Sequence, residues 1–134
     1  MKTVSTVARY LLGLIFLVFG LNGFLNFIHQ PPPSNPLAIQ FLVAVSASHY
    51  MAVVSLAQII GGILLLAGRF VPLGLAVLAP VLVNILNYHI SMDPRGIGLG
   101  LITTILWVIV FLPYRSSFAP IFQQRPPEKT TTTP

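Results

Sequence analysis

The chain has 134 residues, which allows one domain at most. Apolar residues make up 55% of it and charged residues 7%, where soluble domains run near 25% charged. Seven basic and two acidic side chains cannot cover a water-exposed surface of this size, and the basic ones form no patch or run, so neither a soluble globule nor a nucleic-acid-binding surface fits.

The first apolar run, about Val7 to Ile28, is long enough at about 1.5 Å per residue to cross a hydrocarbon core of roughly 30 Å. It is too long for the apolar part of a signal peptide, and His29-Gln30-Pro31 offers no small-residue cleavage site. It is therefore read as a retained span, stopped by Pro31-Pro32-Pro33. Leu37 to Val45 is apolar but too short to span. Asn35 can cap a short helix with Pro36 at its first position, which predicts an interfacial or re-entrant helix in the first outer loop, with a packed apolar loop as the alternative.

A second span is predicted over about 49–68, ending at Arg69. A third follows at once over about 71–90, with Pro72 in its first turn, so the two form a tight antiparallel hairpin. Pro80 inside the third is expected to remove the hydrogen bond to the Ala76 carbonyl and to kink the helix. A fourth span covers about 96–112 and is expected to stop at Pro113. The fold class that follows is all-α: one four-helix transmembrane bundle over residues 1–114, then a polar, Pro-rich tail over 115–134, expected to be disordered apart from an interfacial turn around Phe118, Ile121 and Phe122.

Four spans place Lys2, Arg9, Arg69, Arg115, Arg125 and Lys129 on one side and only Arg95, beside Asp93, on the other. The excess of basic residues then predicts that both termini are cytoplasmic, with the tail. Small residues four apart (Ala57 and Gly61, Gly96 and Gly100), together with Gly13, Gly20 and Gly23, are expected where helices approach closely.

Beyond Arg9, no Asp, Glu, Lys or Arg lies within a span, which argues against an ion-coupled pump. The absence of cysteine excludes disulfides, thiolate metal sites and dithiol redox chemistry. The polar residues gather instead toward the outer ends. Asn22, Asn26 and His29 share one face of the first span; Asn84, Asn87 and Tyr88 share one of the third, followed by His89; His49, Tyr50 and Gln58 belong to the second. Asn22, Asn26, His49, Gln58, Asn84, Asn87, Tyr88 and His89 are thus the candidate ligand-binding residues. They would line a pocket in the outer half whose amides and imidazoles bond the headgroup of an amphipathic ligand such as a quinone, with apolar walls for its tail. On that reading, leucine at Asn84 and Asn87 abolishes binding and leaves the bundle folded. The competing reading is that these amides bond across helices and hold the bundle together. The three histidines share no metal-ligand spacing, and no metal is assigned.

The residues Ala8-Arg9-Tyr10-Leu11-Leu12-Gly13-Leu14-Ile15-Phe16-Leu17-Val18-Phe19-Gly20-Leu21-Asn22-Gly23 resemble the first helix of the DoxX family. Similar too are Gln58-Ile59-Ile60-Gly61-Gly62-Ile63-Leu64-Leu65-Leu66-Ala67-Gly68-Arg69-Phe70-Val71-Pro72-Leu73-Gly74 and, after it, Val83-Asn84-Ile85-Leu86-Asn87-Tyr88-His89. The resemblance spans about Arg9 to Arg115 and implies a small four-helix protein of the bacterial cytoplasmic membrane, associated with oxidoreductases and with quinone. Many members carry Glu before the Gly-Gly pair where this chain has Gln58, so a proton-carrying role is not implied at that position. The resulting expectation is an accessory subunit, not an enzyme on its own, that meets membrane lipid, a quinone and oxidoreductase subunits or further copies of itself. A passive small-solute transporter and a structural assembly factor are the alternatives.

Overall fold

A computed structural model describes residues 1–125. Helix α1, Lys2–Leu25, ends where Asn26 turns left-handed (φ 52°) and its N–H bonds the Asn22 carbonyl at 2.8 Å. Helix α2, Pro36–Ala47, begins as its sequence requires: Asn35 Oδ1 accepts from the Leu37 N–H at 3.0 Å, and Pro36 takes the first position, where no donor is needed. Helices α3, Tyr50–Ala67, and α4, Val71–Ser91, meet at a short turn. There Gly68 adopts φ 66° and closes α3 by bonding the Leu65 carbonyl at 3.2 Å. A 3-10 turn, Pro94–Gly96, leads into α5, Ile97–Phe118, and a second, Ala119–Phe122, follows it. No strand occurs among the described residues, and four helices (α1, α3, α4 and α5) are long and apolar enough to cross a membrane.

Two helices differ in their bounds from the sequence expectation. Helix α1 starts at Lys2 and stops at Leu25, so Asn26, Phe27 and Ile28 belong to the loop. Helix α5 passes through Pro113 instead of ending there. Proline removes one donor and crowds one carbonyl, but aromatic packing holds the turn beyond it: Phe118 lies 5.2 Å from Phe111, and Tyr114 and Phe118 rest on the core. The residues expected to open a disordered tail, from Arg115, are therefore helical as far as Phe118, and the 3-10 turn Ala119–Phe122 falls where the sequence predicts a turn; 126–134 lie outside the described residues.

The helices run up and down, and α1, α3, α4 and α5 pack in that cyclic order. The tightest approach is between α1 and α3. A Cβ on Gly62 would stand 2.8 Å from both the Gly13 carbonyl oxygen and the Leu17 nitrogen, so only glycine lets these backbones touch. Gly61 faces Leu78 of α4 instead. Leu12, Phe16, Leu65, Leu75, Leu78 and Val110 are fully buried around this crossing. In lipid such contacts stabilise by dispersion and shape, since apolar burial alone gains little there. Two long-range polar contacts tie the same half. The Arg9 guanidinium donates to the Leu65 carbonyl at the C-terminal end of α3, where the helix dipole favours a cation. Trp107 Nε1 of α5 donates to the Leu75 carbonyl of α4 at 3.0 Å. That carbonyl neighbours the Ala76 carbonyl, which Pro80 leaves without its helical donor.

Candidate functional site

The opposite half of the bundle is open. Between the upper parts of α1, α3, α4 and α5, beneath the α1–α2 loop, lies a cavity of about 840 Å³. Glycine makes room on two walls. Gly23 of α1 faces Ser55 of α3 so closely that a Cβ would overlap the serine hydroxyl, and the His89 ring lies against Gly96. Ile15, Phe16, Phe19, Phe24, Met51, Ile85 and Leu99 supply apolar lining, and Asn22, Ser55, Gln58, His89 and Thr103 are among the polar groups. Gln58 is the deepest of these on α3, eight residues or about 12 Å along the helix from Tyr50.

Four of the polar groups have assigned hydrogen-bonding roles. Asn22 Oδ1 accepts from the Ile28 N–H at 2.6 Å, which fixes the loop and leaves the amide N–H groups of Asn22 to donate. His89 Nδ1 lies 2.8 Å from the Asp93 carbonyl oxygen. A carbonyl only accepts, so Nδ1 carries the proton, and Nε2 of the neutral ring is a bare acceptor. Thr103 Oγ1 spends its hydrogen on the Leu99 and Gly100 carbonyls, at 2.9 and 3.0 Å, and keeps its lone pairs. Gln58 is 9% exposed, and its Oε1 is buried with no hydrogen-bond partner among the described residues. Leaving such an atom unpaired costs about 1–3 kcal/mol.

The end of the cavity is tied down by loop contacts. Arg95 pairs with Asp93 at 3.4 Å and donates to Ser34 Oγ at 3.0 Å, while Asn35 Nδ2 donates to the Met92 carbonyl at 3.0 Å. With Arg95 66% exposed on its side chain, the ion pair contributes roughly 0–1 kcal/mol; the bonds from Arg95 to Ser34 and from Asn35 to Met92 are what join the α1–α2 loop to the α4–α5 turn. Helix α2 packs on α3, and Phe41 rests 5.7 Å from the Tyr88 ring.

Of the eight residues singled out by sequence, the cavity brings together Asn22, Asn26, Gln58 and His89. The other four lie off it. His49 is exposed at the N-cap of α3, in a left-handed conformation (φ 60°). Tyr88 packs between Phe41 and His89. Asn84 and Asn87 are exposed on the outer face of α4. They bond their own helix, Asn84 to the Pro80 carbonyl at 2.9 Å and Asn87 to Ser91 Oγ at 3.2 Å, and not a neighbouring one. His29 is exposed in the loop, and no group of three or more side chains able to hold a metal ion occurs among the described residues. Ser55 and Thr103 were not singled out by sequence. Ser55 could have been, because it lies three residues before Gln58 on the same face; Thr103 carries no such signal, since Thr104 beside it bonds the helix backbone in the same way.

No protein-family model matches the sequence, and no curated protein or solved structure matches it.

Proposed function

We propose that this chain is a DoxX-like protein of the bacterial cytoplasmic membrane, and that its cavity holds the headgroup of a quinol or quinone on behalf of a membrane oxidoreductase. The observation that carries the reading is the buried, unpartnered Gln58 Oε1 at the deep end of a cavity lined by both apolar and polar side chains. His89 Nε2 accepts in the neutral ring, and Gln58 Oε1 accepts once its carboxamide turns toward the cavity, so the two suit a ligand that donates. A quinol hydroxyl does this, and Asn22 can return a hydrogen bond to its oxygen or to the carbonyl of the oxidised form. The volume is in the range that fits a small-molecule headgroup, about 300–1,000 Å³. Below Phe16 the bundle closes on Leu12, Leu65, Leu75 and Leu78, which supports a dead-end binding site over a conduit.

Orientation follows from charge. Lys2, Arg9, Arg69 and Arg115 lie at the end of the bundle away from the cavity. With that end cytoplasmic, the cavity opens toward the outer leaflet, and α2 lies at the outer interface.

Native mass spectrometry of protein extracted gently from its own membrane tests the proposal. A co-purifying amphipathic mass is expected, lost in Gln58→Leu and in His89→Leu and retained in Asn84→Leu, whose side chain lies off the cavity. Gln58→Leu is expected at the same time to raise the thermal stability of the ligand-free bundle, by about 1 kcal/mol, because it removes an unpaired buried acceptor. A bare chain, or a mass indifferent to both cavity variants, would sink the quinol reading.

A further inference from the structure

We propose that the outward face of α4 is the seam of a homodimer, in which Asn84 and Asn87 of two copies bond one another across a twofold axis. Helix α4 packs against α3 on one side and α5 on the other, which leaves a third face outside the bundle. Leu73, Ala76, Pro80, Val83, Asn87 and Ile90 fall on that face, spaced alternately by three and four, and all are exposed. This is the periodicity of a helix–helix seam. Val83 and Ile90, which flank the asparagines, are 65% and 67% exposed.

An apolar face needs no protein cover in lipid, but two carboxamides do. Asn84 is seven residues, about 10 Å, from the end of α4 at Ser91, and so falls within the hydrocarbon, where acyl chains offer no hydrogen bond. Its bond to the Pro80 carbonyl uses one amide hydrogen and leaves Oδ1 free to accept. Asn87 Oδ1 receives the Ser91 hydroxyl, and both of its amide hydrogens remain. Asn84 therefore offers an acceptor and one donor, and Asn87 two donors, three positions apart on one face.

Two copies in the same membrane share an orientation, so their twofold axis lies along the membrane normal. Asn84 Oδ1 of one copy then meets Asn87 Nδ2 of the other, and the reciprocal bond forms by symmetry. The two positions differ by about 4.5 Å in height, within reach of two carboxamide side chains. Because the free valences of this face complement each other, a second copy satisfies it without a foreign group. Ala76, the smallest side chain of the seam, allows close approach lower down.

The chain has no cysteine, so single-cysteine variants report without background. Val83→Cys and Ile90→Cys, oxidised in native membranes, are expected to form a disulfide-linked species of twice the chain mass. Ile63→Cys and Leu101→Cys, at exposed positions on α3 and α5, are expected to stay monomeric. Adding Asn84→Leu and Asn87→Leu to Val83→Cys is expected to lower the cross-linked fraction about tenfold, the weight of an interhelical amide pair in lipid, while Asn87→Gln retains it. Absence of the dimer at Val83 and Ile90, equal cross-linking at the control positions, or a cross-link to a polypeptide of another mass would each overturn the proposal. A dimer unchanged by the double leucine variant would overturn the role of the asparagines.

Discussion

The two halves of this bundle are built from the same four helices and use glycine in opposite ways. In the half near the termini, Gly13 and Gly62 bring two backbones into contact, and the space around them is filled by fully buried leucines. In the other half, Gly23 and Gly96 face a serine hydroxyl and a histidine ring, and a polar cavity lies between the helices. The first use removes volume and gives rigidity. The second leaves room beside groups with free hydrogen-bonding valences. A membrane protein this small cannot be held together by its surface, so the packed half must supply the stability that lets the open half carry unpaired polar atoms.

Glycine replacement separates the two roles most sharply and should give the largest effect. Gly62→Ala places a methyl group against backbone atoms of α1, which cannot rotate aside, so a loss of roughly 1–3 kcal/mol is expected. Gly23→Ala meets the hydroxyl of Ser55, which can change rotamer, and the Ser55 Cβ at 2.8 Å, which yields only if the helices part slightly, so a smaller loss of stability than at Gly62 is expected together with a fall in ligand occupancy. Thermal unfolding in detergent, read beside ligand retention, distinguishes them. Equal destabilisation by both variants would break the division into a packed half and an open half.

The sequence carried the packed half better than the open one. Long apolar runs determined the four spans, because only a helix satisfies its backbone in lipid over that length. Asn35-Pro36 announced α2 by local capping chemistry alone. Pro113 misleads because its rule is local, whereas the stacking of Phe111, Phe118 and their neighbours that carries α5 past it is tertiary. The same limit applies at the site. A polar face can be read from spacing, but its direction depends on how the helix is rotated in the bundle. On α4 the inward face is Leu82, Ile85 and His89, and the asparagines turn outward. On α1 and α3, Asn22 and Gln58 lie on the face that lines the cavity.

Arg9 gives the next effect in size and tests whether charge takes part in closing the packed half. Its guanidinium lies over the Tyr10 ring, 4.5 Å from the centroid, and donates to the last turn of α3. Arg9→Leu keeps the apolar stem but removes the donor and the cation at the negative end of the helix dipole. A loss of about 1–2 kcal/mol is expected from a partly buried, charge-assisted bond of this kind. Ligand binding, set at the other end, should not change. A ligand loss that matches the stability loss would mean that the two halves are coupled.

The smallest effect is expected at Trp107, where packing and hydrogen bonding can be separated. Its ring stacks on Phe111 with 5.1 Å between centroids and 10° between planes, and its Nε1 reaches across to Leu75. Trp107→Phe preserves most of the stacking and removes the one donor. The carbonyl left behind can still be served by Ala79 within α4, so it is not orphaned, and interhelical bonds in lipid average about 0.6 kcal/mol. A drop of that order in unfolding free energy is expected, with ligand occupancy unchanged. A much larger loss would mean that the indole N–H stabilises the stretch of α4 weakened by Pro80, where the Ala76 carbonyl lacks its helical donor. The packed half would then depend on a polar tie as much as on its glycine crossing, and the contrast between the two halves would be one of degree.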